Sequence, residues 1–148
     1  MSLLVTINDD IKTAMRSKNS LTLGVLRMLK AAITNSAIEK KVAELADPDI
    51  VIAVRKAIKT RQDSIEAYMK AERKDLADIE NEEISILTKF LPAAMSDDDI
   101  NKLVDEAILA SGATTKKQMG AAMKIATEKA AGRIDGKTLS SKIGSKLA

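Results

Sequence analysis

The sequence predicts an all-α protein, and three observations carry that reading. Apolar residues make up 45% of the 148 but aromatic residues only 1%, so the core is built from Leu, Ile, Val, Ala and Met, a composition that favours helices over strands. Apolar positions recur at three- and four-residue steps along most of the chain, the period of a helix face. Breaks are sparse, with two prolines and six glycines, and both prolines fall between apolar stripes.

The stretch Phe90-Leu91-Pro92-Ala93-Ala94-Met95-Ser96 divides the chain. A residue before proline is pushed out of the α region, so the upstream helix ends there. Ser96-Asp97-Asp98-Asp99 then reads as an N-cap, with a carboxylate reaching back, ahead of the apolar run from Ile100. The expected architecture is a bundle of about four helices over residues 1–92, followed by a small three-helix domain over residues 96–148.

The first stripe, Leu3 to Lys18, places Leu4, Ile7, Ile11, Ala14 and Met15 on one face. Asn19-Ser20 breaks it and caps a second helix, about Ser20 to Lys41. Leu23, Leu26, Leu29, Ile33 and Ala37 form its apolar side, widened by Val25, Met28 and Ala32. Gly24 costs about 1 kcal/mol against alanine, which is tolerable where backbones come close. Asp47-Pro48 gives a cap followed by a first-turn proline. The third helix then runs to about Ala71 through Val51, Val54, Ile58, Ile65 and Tyr68. Arg73-Lys74-Asp75 marks a turn into a fourth helix through Leu76, Ile79, Ile84 and Leu87, with one long kinked helix over 48–90 as the alternative. Beyond the proline, Ile100, Leu103, Val104 and Ala107 line a helix that Gly112 ends. Thr115-Lys116-Lys117-Gln118 is a capping box opening the next, with Met119, Met123, Ala126 and Ala130 in step. Gly132 closes that one, and Asp135 caps a last helix through Leu139, Ile143 and Leu147.

Several function classes drop out. Cysteine and histidine are both absent, which excludes disulfides, thiolate nucleophiles, zinc-thiolate sites and both Ser-His-Asp and Cys-His catalysis. No catalytic residue, metal ligand set or cofactor is assigned. Asp97-Asp98-Asp99 lacks the spaced ligands of a calcium loop. No apolar run approaches the ~20 residues of a membrane span, and the N-terminus has no basic flank or cleavage pattern. A soluble, cytoplasmic protein without a membrane partner is expected.

Charge is unevenly spread. Residues 72–111 carry four basic and eleven acidic side chains, and residues 112–148 carry eight basic and two acidic. A concentrated positive tail points to a polyanionic partner. Lys116, Lys117, Arg133 and Lys137 lie near the starts of helices, whose free N–H groups favour anions, and Lys142 with Lys146 adds a stripe to the last helix. Ala131-Gly132-Arg133-Ile134-Asp135-Gly136-Lys137-Thr138 mimics a phosphate loop, but a helix rather than a strand precedes it, so it reads as a helix–turn–helix joint. In the first half Arg27, Lys30, Arg61, Tyr68 and Arg73 form a second polar set. Tyr68 could stack on a base, but pairing among Arg61, Asp63, Glu66 and Arg73 to fix helix register is the simpler role.

Leu26-Arg27-Met28-Leu29-Lys30-Ala31-Ala32-Ile33, Arg61-Gln62-Asp63-Ser64-Ile65-Glu66-Ala67-Tyr68, Arg73-Lys74-Asp75-Leu76, Leu91-Pro92, Met119-Gly120 and Gly132-Arg133-Ile134-Asp135-Gly136-Lys137 together resemble the YqeY-like proteins over essentially the whole chain. That family is similar to the C-terminal tail of the B subunit of tRNA-dependent amidotransferase, and related modules are appended to a glutaminyl-tRNA synthetase. The resemblance implies a non-catalytic tRNA-binding module, with tRNA as partner and an amidotransferase or aminoacyl-tRNA synthetase as a further one. The residues it implies as nucleic-acid contacts are Lys116, Lys117, Gly120, Lys124, Gly132, Arg133 and Lys137. Ala121 and Ile134 depart from the family's frequent lysine and alanine, the first at the cost of a phosphate contact. The family's label, a carbon–nitrogen ligase using glutamine as amide donor, needs a glutamine-hydrolysing nucleophile and an ATP-phosphorylating metal site. This chain has neither constellation. The alternatives are an accessory subunit active only in complex with such an enzyme, and a protein–protein adaptor using the acidic 72–106 face.

Overall fold

The computed structural model describes residues 2–148. Among them there are seven α-helices and no strand: α1 (Leu3–Arg16), α2 (Ser20–Lys40), α3 (Asp47–Lys70), α4 (Lys74–Thr88), α5 (Asp97–Ser111), α6 (Met119–Ala130) and α7 (Gly136–Lys146), with a 3-10 turn (Lys116–Gln118) leading into α6. None of these helices is long and apolar enough to cross a membrane. The chain forms two compact units, one running to Leu91 and one over Pro92–Ala148.

Most helix ends follow local chemistry. The Asn19 side chain accepts from Thr22 N–H at 3.1 Å, Ser96 from Asp99 N–H at 3.2 Å and Asp135 from Thr138 N–H at 3.0 Å, each satisfying an orphan first-turn donor. At Ser96 the reaching-back carboxylate is not part of the cap; the serine side chain makes it alone. Gly112 ends α5 in the left-handed region, at φ 70°. The end of α6 falls one residue earlier than Gly132, with Ala131 at φ 48° as the cap and Gly132 at φ 81° behind it.

The first unit buries Ile7 of α1, Leu26, Leu29 and Ile33 of α2, Ile50 and Val54 of α3, and Leu87 and Phe90 at the end of α4 around one core. Helix α3 packs most extensively along α4, and α1 along α2. The chain breaks between α3 and α4 at Glu72, which takes φ 58°, so the single long helix over 48–90 does not form. The aspartate before Pro48 does not cap its own helix. Ala46 holds the cap position, and the Asp47 carboxylate instead accepts from the Leu3 N–H at 3.1 Å, closing the start of α1. Met15, Met28 and Ile79 are exposed rather than core, because each lies at the margin of its apolar stripe. Gly24 faces open space, with nothing within 4 Å of an added Cβ, so close backbone packing is not its reason.

The second unit has its own core. Ile100, Leu103, Val104 and Ala107 of α5 meet Ala122, Ala126 and Ala130 of α6 and Leu139, Ile143 and Leu147 from α7 and just beyond it. The α6 contribution is three alanines, small side chains that let the flanking helices come close. Gly144 of α7 would set a Cβ 3.7 Å from the Met119 sulfur. Residues 131–135 turn the chain between α6 and α7 with no strand before them, so the phosphate-loop lookalike is a helix–turn–helix joint.

Candidate nucleic-acid interface

Helix α6 is the axis of the candidate site. At its head, Gln118 reaches back: its side-chain oxygen accepts from Thr114 N–H at 2.8 Å, from the Thr114 hydroxyl at 3.2 Å and from Thr115 N–H at 3.4 Å. The turn is held from outside as well, with Lys116 N–H donating to the Ala148 carbonyl and Ala148 N–H to the Thr114 carbonyl. These bonds fix the backbone that presents Lys116 and Lys117, whose side chains stay exposed.

Gly120 and Lys124 are four residues apart on α6 and so share a face, with Lys117 in the 3-10 turn just ahead of them. Gly120 and Lys124 are both exposed, and nothing of the protein lies within 4 Å of an added Gly120 Cβ. A glycine in a helix at no packing gain leaves bare backbone, which admits close approach by a ligand. At the far end of α6, the Arg133 Nε donates to the Ala93 carbonyl at 3.4 Å, and the residue is exposed. Gly132 is half-buried in the same turn, Lys137 is exposed in the first turn of α7, and Lys142 is half-buried further along it.

Ion pairing separates the lysines of this unit. Lys146 binds Asp105 at 2.6 Å and Lys129 binds Glu106 at 3.7 Å, both on α5. Lys116, Lys117, Lys124, Lys137 and Lys142 make no ion pair among the described residues. The acidic helix therefore neutralises Lys129 and Lys146 and leaves those five lysines without a carboxylate partner. The Lys142–Lys146 stripe is reduced to Lys142 for this reason. Helix starts contribute less than the sequence suggests. The Asp135 carboxylate already occupies the N-terminus of α7, and a second negative group there would meet repulsion.

The 12 residues of α6 span about 18 Å, so the cations at its two ends do not converge on one small ligand. They suit an extended polyanion, whose charge repeats along its length.

In the first unit Arg27 and Lys30 are exposed on α2, on the side away from the core, and Tyr68 is half-buried. Arg61 is only 8% exposed and Arg73 is bidentate to Asp75, at 3.1 and 3.0 Å. The cross-pairing expected among Arg61, Asp63, Glu66 and Arg73 does not occur. Asp63 binds Lys59, Glu66 binds Lys70 and Arg61 binds Glu83, because helical neighbours four apart and the adjacent α4 are nearer. Arg61 and Arg73 thus belong to the fold's own ion pairs, and Glu83, the partner of Arg61, lies 22 residues away in the sequence, where no local motif announces it.

A family model described as Yqey-like protein matches residues 4–147. The chain belongs to that family. This Yqey-like chain is also similar to curated fungal proteins named "Altered inheritance of mitochondria protein 41, mitochondrial". It is 31% identical over 108 residues to the one from Pyrenophora tritici-repentis, covering 71% of this chain and 59% of the relative. With the Candida glabrata protein it shares 31% identity over 87 residues, 58% of this chain and 48% of that one. With the Clavispora lusitaniae protein the figures are 31% over 104 residues, 68% and 59%. The chain spans about half the length of the curated relatives it matches. Their names correct the expectation of a cytoplasmic protein, since they point to mitochondria instead.

Proposed function

We propose that this Yqey-like chain is a non-catalytic tRNA-binding module that reads the shape and phosphates of its partner rather than base sequence. The carrying observation is that Lys116 and Lys117 ahead of α6, Lys124 on it, and Lys137 and Lys142 on α7 make no ion pair among the described residues, whereas the acidic α5 pairs Lys129 and Lys146. The second unit holds neither of the chain's two aromatic residues, Tyr68 and Phe90, so it has no side chain on which a base could stack. Cations and a bare glycine backbone suit contact with a phosphodiester surface. In this reading the unit ending at Leu91 is a supporting helical bundle, and the unit from Pro92 is a tail-like domain that carries the contacts.

The test is direct binding of purified protein to total tRNA at about 50 and 200 mM salt. Four to five phosphate contacts give a log–log salt slope near −3 to −4. A variant with Lys116, Lys117, Arg133 and Lys137 changed to glutamate should lose binding while keeping its helical circular dichroism. Absence of binding by folded wild-type protein at low salt overturns the proposal.

A further inference from the structure

We infer that the seam between α2 and α3 is a docking groove for an amphipathic helix of another protein, one that carries a basic and an acidic residue one heptad apart on its contact face. The groove has a volume of about 540 Å³. Met28 and Ala32 line it from α2, Ile52, Ala53 and Ala57 from α3, and the buried Leu87 of α4 closes it. Met28 is 65% exposed and Ile52 57%, large apolar side chains left in water on opposite walls.

Two features select a helix as occupant. Both walls present residues that recur at three- and four-residue spacings (25, 28/29, 32, 35/36 and 39 on α2; 49, 52/53, 56/57 and 60/61 on α3), which is how a helix presents a seam to another helix. The alanines let a third backbone come close. The groove's charges then fix what the occupant must carry. Arg61 is paired to Glu83 and Asp49 to Lys40, whereas Glu39 and Lys56 make no ion pair among the described residues. The Lys40–Asp49 bond at 2.7 Å sets the end of α2 beside the start of α3, which puts Glu39 at the Asp49 end of the groove. Lys56 lies seven residues further along, about 10 Å. An occupant with a base opposite Glu39 and an acid opposite Lys56 satisfies both.

A second copy paired groove to groove leaves Lys56 unsatisfied. Lys56 sits near the middle of the α3 wall, which runs from Asp49 to Arg61. A two-fold pairing centred on the groove would set Lys56 against the Lys56 of the other copy.

The probe is a fluorescein-labelled, designed 18-residue amphipathic peptide. It has leucine and alanine on one face and a lysine and a glutamate seven residues apart at its margin, with Lys/Lys and Glu/Glu peptides as comparisons. Full-length wild-type protein should bind the Lys/Glu peptide saturably below about 100 µM, and the other two about fivefold more weakly. Lys56→Glu should invert the preference in favour of the Lys/Lys peptide. Met28→Glu and Ile52→Glu alter exposed positions and should abolish binding of all three without loss of helical content. The inference falls if no peptide binds saturably, if the three bind equally, or if Met28→Glu leaves binding intact. Wild-type dimerisation that Met28→Glu abolishes would also overturn it, by assigning the face to a second copy.

Discussion

Arg61 of α3 donates from Nε to Glu83 of α4 at 3.0 Å, and from Nη1 to the Ala57 carbonyl of its own helix at 3.0 Å. The guanidinium side chain is 9% exposed and the glutamate 21%, so both charges lie largely out of water and neither tolerates losing the other. Glu83→Ala should lower unfolding stability by about 3 kcal/mol, since it strands a buried cation. Glu83→Gln, which keeps an acceptor, should cost less. The exposed Lys59–Asp63 pair is the control: Asp63→Ala should cost no more than about 0.5 kcal/mol. Urea unfolding of the three variants checks the order, and equal losses would remove the special role given to Arg61.

Glu80 shares that corner. Burial raises its carboxyl above the ordinary glutamate value, the nearby Glu83 charge adds to the rise, and Arg61 opposes it. The native state therefore holds this proton more tightly than the unfolded chain does. The resulting stabilisation is fully present at pH below the ordinary glutamate value and is lost as pH rises through the elevated folded one. Glu80→Gln should consequently stabilise the protein at about pH 7, with a gain that shrinks toward zero near pH 3. Unfolding free energies of the variant and wild type across that range give the comparison, and a gain independent of pH would refute the burial argument.

The features legible in the sequence are those whose causes are local. Asn19, Ser96 and Asp135 cap helices that begin beside them, and Gly112 takes the left-handed conformation that ends α5. The misses have distant or silent causes. Asp47 serves Leu3, 44 residues away, and nothing in a cap motif says which helix it will serve. Lys18, Lys41 and Glu72 adopt φ near 57° without a glycine to announce it. The basic residues of the candidate interface could be named from the sequence. Their division into paired and unpaired sets could not, because the Lys146–Asp105 bond spans 41 residues.

Two glycines predict opposite responses to the same change. Gly24 lies in the interior of α2 with open space around it and an ordinary helical backbone. Gly24→Ala should stabilise by up to about 1 kcal/mol, through helix propensity and a less flexible unfolded chain. Gly112 has equal space but sits at φ 70°. Alanine there should destabilise by about 1 kcal/mol, since a Cβ is strained in that region. Thermal melts of both variants suffice, and a destabilised Gly24→Ala would mean that the exposed face of α2 needs its bare backbone.

The ion-pair map makes the sharpest claim about the interface. Lys117 just ahead of α6 and Lys124 on it have no carboxylate partner among the described residues, whereas Lys129 and Lys146 are held by Glu106 and Asp105 of α5. Phosphate contact by a free lysine releases a counterion, and a lysine already neutralised contributes little. Lys117→Gln and Lys124→Gln should each weaken tRNA binding and lower the magnitude of the log–log salt slope by about 1. Lys129→Gln and Lys146→Gln change the same formal charge, but because Glu106 and Asp105 already neutralise these lysines they should leave the slope nearly unchanged and act on folding stability instead. If all four variants shift the slope equally, binding follows net charge alone, and the α6 face is not the surface that meets the RNA.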